Sequence, residues 1–551
     1  MILRRCLIAS LLQLSVLATT TGAEGRRSNR LGEKTAYCRS CDWDDEFRGE
    51  RRLPWSSDSQ RPFSSQAQAP ALEVIPLGVS GSADNRVDLV FFSDGYLASE
   101  RAKFIEDATR LAEDVSGNQT FHAVKPLLNF WGAFTPSNES GIGTGGVPKD
   151  TVYGLYRPGT ELRAVYYSKP EVARAACASM GSQCDYPILL ANDPFYGGVG
   201  GEFTTVTSSY LNGPLVLRHE LGHSIVGVGE EYDGGFAYCG ANAALEPLDI
   251  PWKRWLPSSH TPRIERSIMP FQSYPWTMLN MSSSWTAEFT SSGIYSRYLV
   301  KFSLSGIPSK SSFTVTLGGE DLGWEPERRV GLDRWHYDIH RADGLKPGVH
   351  KLNFALTDPA LEGKAQLCSV EVLEFGDESE FNSTPGHYSL YPTFSMDNQT
   401  SYRPTNEGCL MRAVTKPSFC NACMEALWLS LLKRVHLIEG VTERCTPQNN
   451  TALSLSLVPL AHLRQTFPNA IDHHTPKLAE ELKNESYTII WKKGGDQLGE
   501  YTNMTTAILD QVNAAGTYTV EVKFATDAVR LTDDSALMDR LEYSVSSPCP
   551  R

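Results

Sequence analysis

Apolar and polar positions recur along this chain with two periods, and the switch between them divides it. Arg86 to Phe92, R-V-D-L-V-F-F, is a short apolar run stopped by Ser93-Asp94-Gly95, which predicts a buried strand. Ser99 then caps a predicted helix whose apolar face is Phe104, Ala108, Leu111 and Val115. Phe130 to Phe134 reads as a second strand, Glu171 to Met180 as a second helix and Tyr186 to Leu190 as a third strand. Strands alternating with helices predict an α/β subdomain with a mostly parallel or mixed sheet. In Tyr196 to Ser209, Y-G-G-V-G-G-E-F-T-T-V-T-S-S, the glycines favour close backbone approach, so a flexible loop and an edge strand are expected. An extended peptide can add to such an edge as a further strand.

Period two takes over downstream. Leu299 to Leu304, Phe313 to Leu317, Leu352 to Leu356 and Val370 to Phe375 alternate between glycine-, proline- and aspartate-rich turns, predicting a small antiparallel β-sandwich. Tyr487 to Trp491, Thr517 to Phe524 and Leu541 to Val545 predict a second one. Between them Met424, Leu427, Leu431 and Val435 repeat at helical spacing and predict a core helix. The expected fold is α+β: an α/β domain with two β-sandwich-like modules, one inserted and one C-terminal. Its layout is 1–23 a signal peptide, 24–72 a polar pro-segment or linker, and 73–285 and 379–445 the two parts of the α/β domain. Residues 286–378 are then the inserted module and 446–551 the C-terminal one.

The candidate chemistry lies in Pro214 to Tyr232, P-L-V-L-R-H-E-L-G-H-S-I-V-G-V-G-E-E-Y. On a helix, His219 and His223 stand one turn apart on the same face with Glu220 beside them. Two neutral imidazoles bind Zn²⁺ and leave coordination positions open, which lowers the pKa of a bound water from near 16 to about 7. Glu220 is placed to take that water's proton during attack on a carbonyl and pass it to the leaving amine. Pro214 suits a first helical turn, and Gly227 and Gly229 stop the helix after His223. The chain then turns back and offers Glu230, Glu231, Tyr232 and Asp233, from which a third ligand can come.

Composition places this chemistry outside the cell. Arg4 and Arg5, an apolar run from Cys6 to Leu17 and the small residues Thr21-Gly22-Ala23 form a secretory signal pattern too short to span a membrane. No later stretch reaches the eighteen or so apolar residues of a transmembrane helix. Eight N-x-S/T sequons start at Asn118, Asn138, Asn280, Asn382, Asn398, Asn449, Asn484 and Asn503, so N-linked glycans are expected. The net charge of −13 argues against nucleic acid or an anionic membrane as partner. At 551 residues, 41% of them hydrophobic, the chain can bury two to four cores. Of its twelve cysteines, Cys6 lies in the signal and most of the rest should pair. Cys38-Arg-Ser-Cys41 reads as a disulfide or as a thiolate latency switch. Cys409, Cys420, Cys423 and Cys445 read as disulfide cysteines, with a four-thiolate zinc as the alternative.

Several motifs in order resemble one family. V-D-L-V-F-F-S-D-G-Y (Val87 to Tyr96), F-W-G-A-F-T-P-S-N-E-S-G (Phe130 to Gly141), H-E-L-G-H with the following E-E-Y, and G-C-L-M-R with F-C-N-A-C (Gly408 to Arg412, Phe419 to Cys423) are similar to the IgA-peptidase family of zinc metalloendopeptidases. These are zincins of the metzincin type. The resemblance implies a zincin-like catalytic domain, with protein or peptide substrates hydrolysed at internal bonds. It makes His219 and His223 zinc ligands and Glu220 the general base. The third ligand sits three residues beyond the glycine that follows the second histidine. Gly227 thus points to Glu230, where the family has Asp; Glu231 and Asp233 are the alternatives. A methionine turn under the metal matches Met411, with Met269 as competitor. Tyr232 is a candidate donor to the developing oxyanion, its other role being packing.

Overall fold

The computed structural model of the chain describes residues 67–117, 119–257, 262–466, 484–531, 534–546 and 549. The signal pattern, the segment up to residue 66 with Cys38 and Cys41, and the sequon at Asn118 lie outside the described residues.

Six strands, β1 (Glu73–Gly78), β2 (Val87–Asp94), β3 (Leu128–Phe134), β4 (Tyr186–Ala191), β5 (Gly198–Val199) and β6 (Thr204–Thr207), form a mixed sheet in the order β1-β3-β2-β4-β6-β5. The inner strands β3, β2, β4 and β6 are parallel and the two edge strands antiparallel. The unbroken apolar run of β2 follows from burial on both faces: Val87, Leu89 and Phe91 join one core, Val90 and Phe92 the other. On the first face lie α1 (Arg101–Gly117), α3 (Asn212–Leu221) and α4 (Asn421–Leu432); on the second lies α2 (Pro170–Ser179). Phe104, Ala108, Leu111 and Val115 form the buried face of α1, as their spacing predicts. Ser99, however, sits inside a short 3-10 turn, Ala98–Glu100, ahead of α1. Glu100 Oε2 accepts the Leu97 N–H at 2.9 Å, so the 3-10 turn is capped at Leu97 and α1 begins at Arg101, past the expected cap.

Two further pairs of antiparallel sheets follow. Between Ser267 and Phe375 a five-stranded and a four-stranded sheet share one core that includes Phe302, Val315, Phe354 and Val370, which makes a sandwich. Its middle strand, Arg297–Ser305, pairs with Gln366–Phe375 and Trp335–Arg341. The four strands expected here are found, together with Ser267–Ser273, Trp285–Ser291 and Trp335–Arg341. Between Ile438 and Val545 a three-stranded and a four-stranded sheet pack against the first core, where Trp428 of α4 meets Phe524 at a centroid distance of 5.3 Å. Disulfides join Cys177 to Cys184 and Cys445 to Cys549, and Cys239 is also disulfide-bonded. Cys409, Cys420 and Cys423 are instead buried free thiols, contrary to the disulfides expected for them. Every sequon asparagine among the described residues is at least partly exposed.

The helix carrying His219 starts where Ser209 Oγ accepts the Asn212 N–H at 3.1 Å. It ends in a π-helical turn, Gly222–Val226, closed by Gly227 in the left-handed region at φ 70°. The widened turn leaves the Ile225 carbonyl to accept from Ser430 Oγ of α4 at 2.6 Å. A Cβ at Gly227 would meet nothing within 4 Å, so only its backbone needs glycine. Gly227→Ala should therefore lower stability by about 1 kcal/mol, read as a lower denaturant midpoint at unchanged slope.

Candidate metal centre

His219 closes α3 and His223 rides on the π turn, yet their Nε2 atoms converge to 3.2 Å. Each ring is held from behind by a carbonyl: His223 Nδ1–H donates to Val228 O at 2.8 Å, and His219 Nδ1–H to Leu410 O at 3.5 Å. A carbonyl only accepts, so in the neutral rings the proton is on Nδ1 and both Nε2 lone pairs face the same point.

The left-handed Gly227 turns the chain back beneath the helix and brings Glu230 to that point. Its Oε1 lies 3.1 Å from His223 Nε2 and its Oε2 3.1 Å from His219 Nε2. Glu230 Oε2 is buried, with His219 Nε2 the polar atom beside it. Three donor atoms separated by 3.1–3.2 Å surround a position about 2 Å from each, the distance at which imidazole and carboxylate bind zinc. These three residues therefore form a group able to hold a metal ion. Burial would lower the His223 pKa, but the Glu230 carboxylate outweighs it and pushes the value up to about 9. Burial likewise opposes the Glu230 charge, yet His223 and His219 hold its carboxyl well below the usual range.

Glu220 is half-buried on the same helix face. Burial pushes its pKa up, opposed by His219 and His223. The glycine loop passes directly over it: a Cβ on Gly200 would lie 3.0 Å from Glu220 Oε2 and 3.3 Å from His223 Cβ. Just before it, β5 is the edge strand of the sheet, as the glycine-rich stretch predicts. Tyr232 stands beside His219, with ring centroids 6.2 Å apart, and is 38% exposed. Loss of water around its hydroxyl and the Glu230 and Glu220 carboxylates push its pKa well up, so the phenol keeps its proton.

The other candidate carboxylates go elsewhere. Glu231 is buried among Cys409, Cys420 and Cys423. Asp233 pairs with the buried Arg412 at 2.6 Å and accepts the Phe394 N–H at 2.9 Å. Met411 lies under the helix, its Sδ 3.1 Å from where a Gly222 Cβ would sit. Met269 belongs to a different apolar cluster, with Leu299, Leu373 and Tyr391.

Sequence reasoning missed the contribution of the inserted sandwich. Asp333 accepts from the Tyr196 N–H at 2.6 Å and from Ser209 Oγ and Asn212 Nδ2, both at 2.7 Å. The Arg334 guanidinium stacks on Tyr196 at 4.8 Å and on Trp276 at 4.7 Å. Both ends of the glycine stretch and the first turn of α3 are thus braced from a distant segment. Nothing in the local pattern around Asp333 announced it.

Residues 75–255 match the family model described as IgA Peptidase M64. No curated protein matches the chain. Among solved structures, the crystal structure of a ruminal GH26 endo-beta-1,4-mannanase matches at 16% identity, over 21% of this chain and 23% of that one. At a TM-score of 0.14 this likeness bears on neither fold nor activity. The matched region holds His219, Glu220, His223, Glu230 and all of the mixed sheet beyond the first residues of β1, and over that region the chain is similar to the IgA-peptidase family, a family of peptidases.

Proposed function

We propose that the protein is a secreted, N-glycosylated zinc metalloendopeptidase with a zincin-like catalytic domain, in which His219, His223 and Glu230 hold Zn²⁺. The observation that carries this reading is the convergence of both Nε2 atoms and the Glu230 carboxylate within 3.2 Å, with Glu220 alongside. Zinc held there supplies Lewis-acid chemistry, polarising the scissile carbonyl and acidifying the attacking water. Glu220 takes the proton of that water and returns it to the leaving amine. The Tyr232 hydroxyl donates to the oxygen that gains charge. An extended peptide adds to the free edge of β5 and so passes beside Glu220. Export rests on the N-terminal pattern, and is supported by the disulfides and the accessible sequons. No helix among the described residues is long and apolar enough to cross a membrane.

The test is mass-spectrometric detection of new internal peptide termini after the purified, zinc-loaded chain is incubated with unfolded polypeptides. Glu220→Gln should keep the metal and lose roughly 10³-fold or more in kcat. Zinc bound by the parent without turnover, even after removal of the segment before Leu53, would contradict the reading and leave a binding protein on a peptidase scaffold. Tyr232→Phe should cost roughly 10²-fold in kcat with KM little changed, because the missing bond forms only as charge develops. Metal affinity should also follow pH. His223 carries a proton up to about pH 9, and zinc must displace it. The apparent association constant should therefore rise about tenfold per pH unit just below that value, more steeply at lower pH where His219, its pKa also raised by Glu230, is protonated too, and level off above it, as read by competition with a chelator.

A further inference from the structure

A second cluster among the described residues has the donor set of a metal site. The sulfurs of Cys409, Cys420 and Cys423 and a carboxylate oxygen of Glu231 all lie within 4.8 Å of one another, and all four residues are buried. Cys409 Sγ is 3.8 Å from Cys423 Sγ, Cys420 Sγ is 3.7 Å from Cys423 Sγ, and Cys423 Sγ is 3.7 Å from Glu231 Oε1. A tetrahedral zinc with Zn–S of about 2.3 Å and Zn–O of about 2.1 Å sets S···S edges near 3.8 Å and S···O edges near 3.6 Å. The three edges that meet at Cys423 match these lengths. We propose that Cys409, Cys420, Cys423 and Glu231 hold a second zinc ion, structural in role and separate from the His219–His223–Glu230 centre.

Independent observations point the same way. Glu231 Oε1 accepts from Asn242 Nδ2 at 2.9 Å, but Oε2 is buried without a partner, a costly arrangement for a carboxylate unless a cation lies beside it. The Cys420 N–H donates to Cys409 Sγ at 3.3 Å, as backbone amides do to metal-bound thiolates. Among the described residues Cys177, Cys184, Cys239, Cys445 and Cys549 are joined in disulfides, whereas these three, packed together, are free thiols, as is the separate Cys368. Arg412, paired with Asp233, also donates to the Glu231 backbone carbonyl at 3.0 Å and so fixes the segment that carries the fourth ligand.

Four protein ligands leave no open coordination position, so the ion serves to clamp. Loading it releases to solvent the protons held by the thiols and by the Glu231 carboxyl, so that all four groups bind as anions. It ties three pieces of chain together: the Glu230–Asp233 segment, the Cys409–Arg412 turn and the N-terminus of α4. Glu231 N donates to Met411 O at 3.1 Å across the same junction. The residue before Glu231 is the one that reaches the histidines, so the clamp fixes the floor of the catalytic centre.

The test uses the full-length chain and its His219→Ala/His223→Ala variant, in which the other centre is removed. The parent should retain about two zinc ions per chain and the variant about one. With cobalt in place of zinc, the variant should show a thiolate-to-cobalt charge-transfer band in the near ultraviolet, lost when Cys423→Ser is added. A readout that needs no cysteine variant is alkylation: in the folded double-histidine variant Cys409, Cys420 and Cys423 should resist it until a chelator is added. A metal-free double-histidine variant, a cobalt spectrum without the thiolate band, or a disulfide between any two of the three cysteines would overturn the proposal.

Discussion

Two Nε2 atoms 3.2 Å apart, with a carboxylate oxygen 3.1 Å from each, call for a proton or a cation among them. Much of the surrounding structure enforces that approach. The carbonyls of Val228 and Leu410 fix the ring tautomers, the left-handed Gly227 turns the chain under the helix, and Glu230 arrives with a charge that only a cation or a proton can answer. The π turn is part of this device, since it sets the His223 ring and frees the Ile225 carbonyl for Ser430 of α4. In the order of the chain, α4 is remote from this helix; in space it is the helix's support.

Glu230, Glu231 and Asp233 show how finely one short stretch divides its charges. The first faces two histidines, the second three thiols and the third a buried guanidinium. Each is desolvated, and each meets a partner of a different kind, as burial of a carboxylate requires. Sequence alone presents them as equivalent candidates for one role. The difference lies in the tertiary contacts of Leu410, Cys423 and Arg412, nearly two hundred residues on in the chain.

What was legible in the sequence follows the same division. The apolar run of β2, the face of α1 and the alternating strands of both sandwiches are properties of neighbouring residues, and the structure has them where the periodicity puts them. His219, Glu220 and His223 were legible because a helix fixes their spacing. Pairing of the cysteines was not, because Cys445 finds Cys549 across 104 residues while Cys409, Cys420 and Cys423 gather around Glu231. Nor was the brace from Asp333 and Arg334, in a polar connection with no periodic signal. Ser99 failed as a cap for a simpler reason, the reach of the Glu100 side chain back to Leu97.

The account rests on a metal ion at the point where three side chains meet. Anomalous diffraction at the zinc edge, from crystals of the purified chain, tests that most directly. The account predicts a peak about 2 Å from His219 Nε2, His223 Nε2 and a Glu230 oxygen. No peak beside the histidines, or one whose third protein ligand is Asp233 or Glu231, would contradict it.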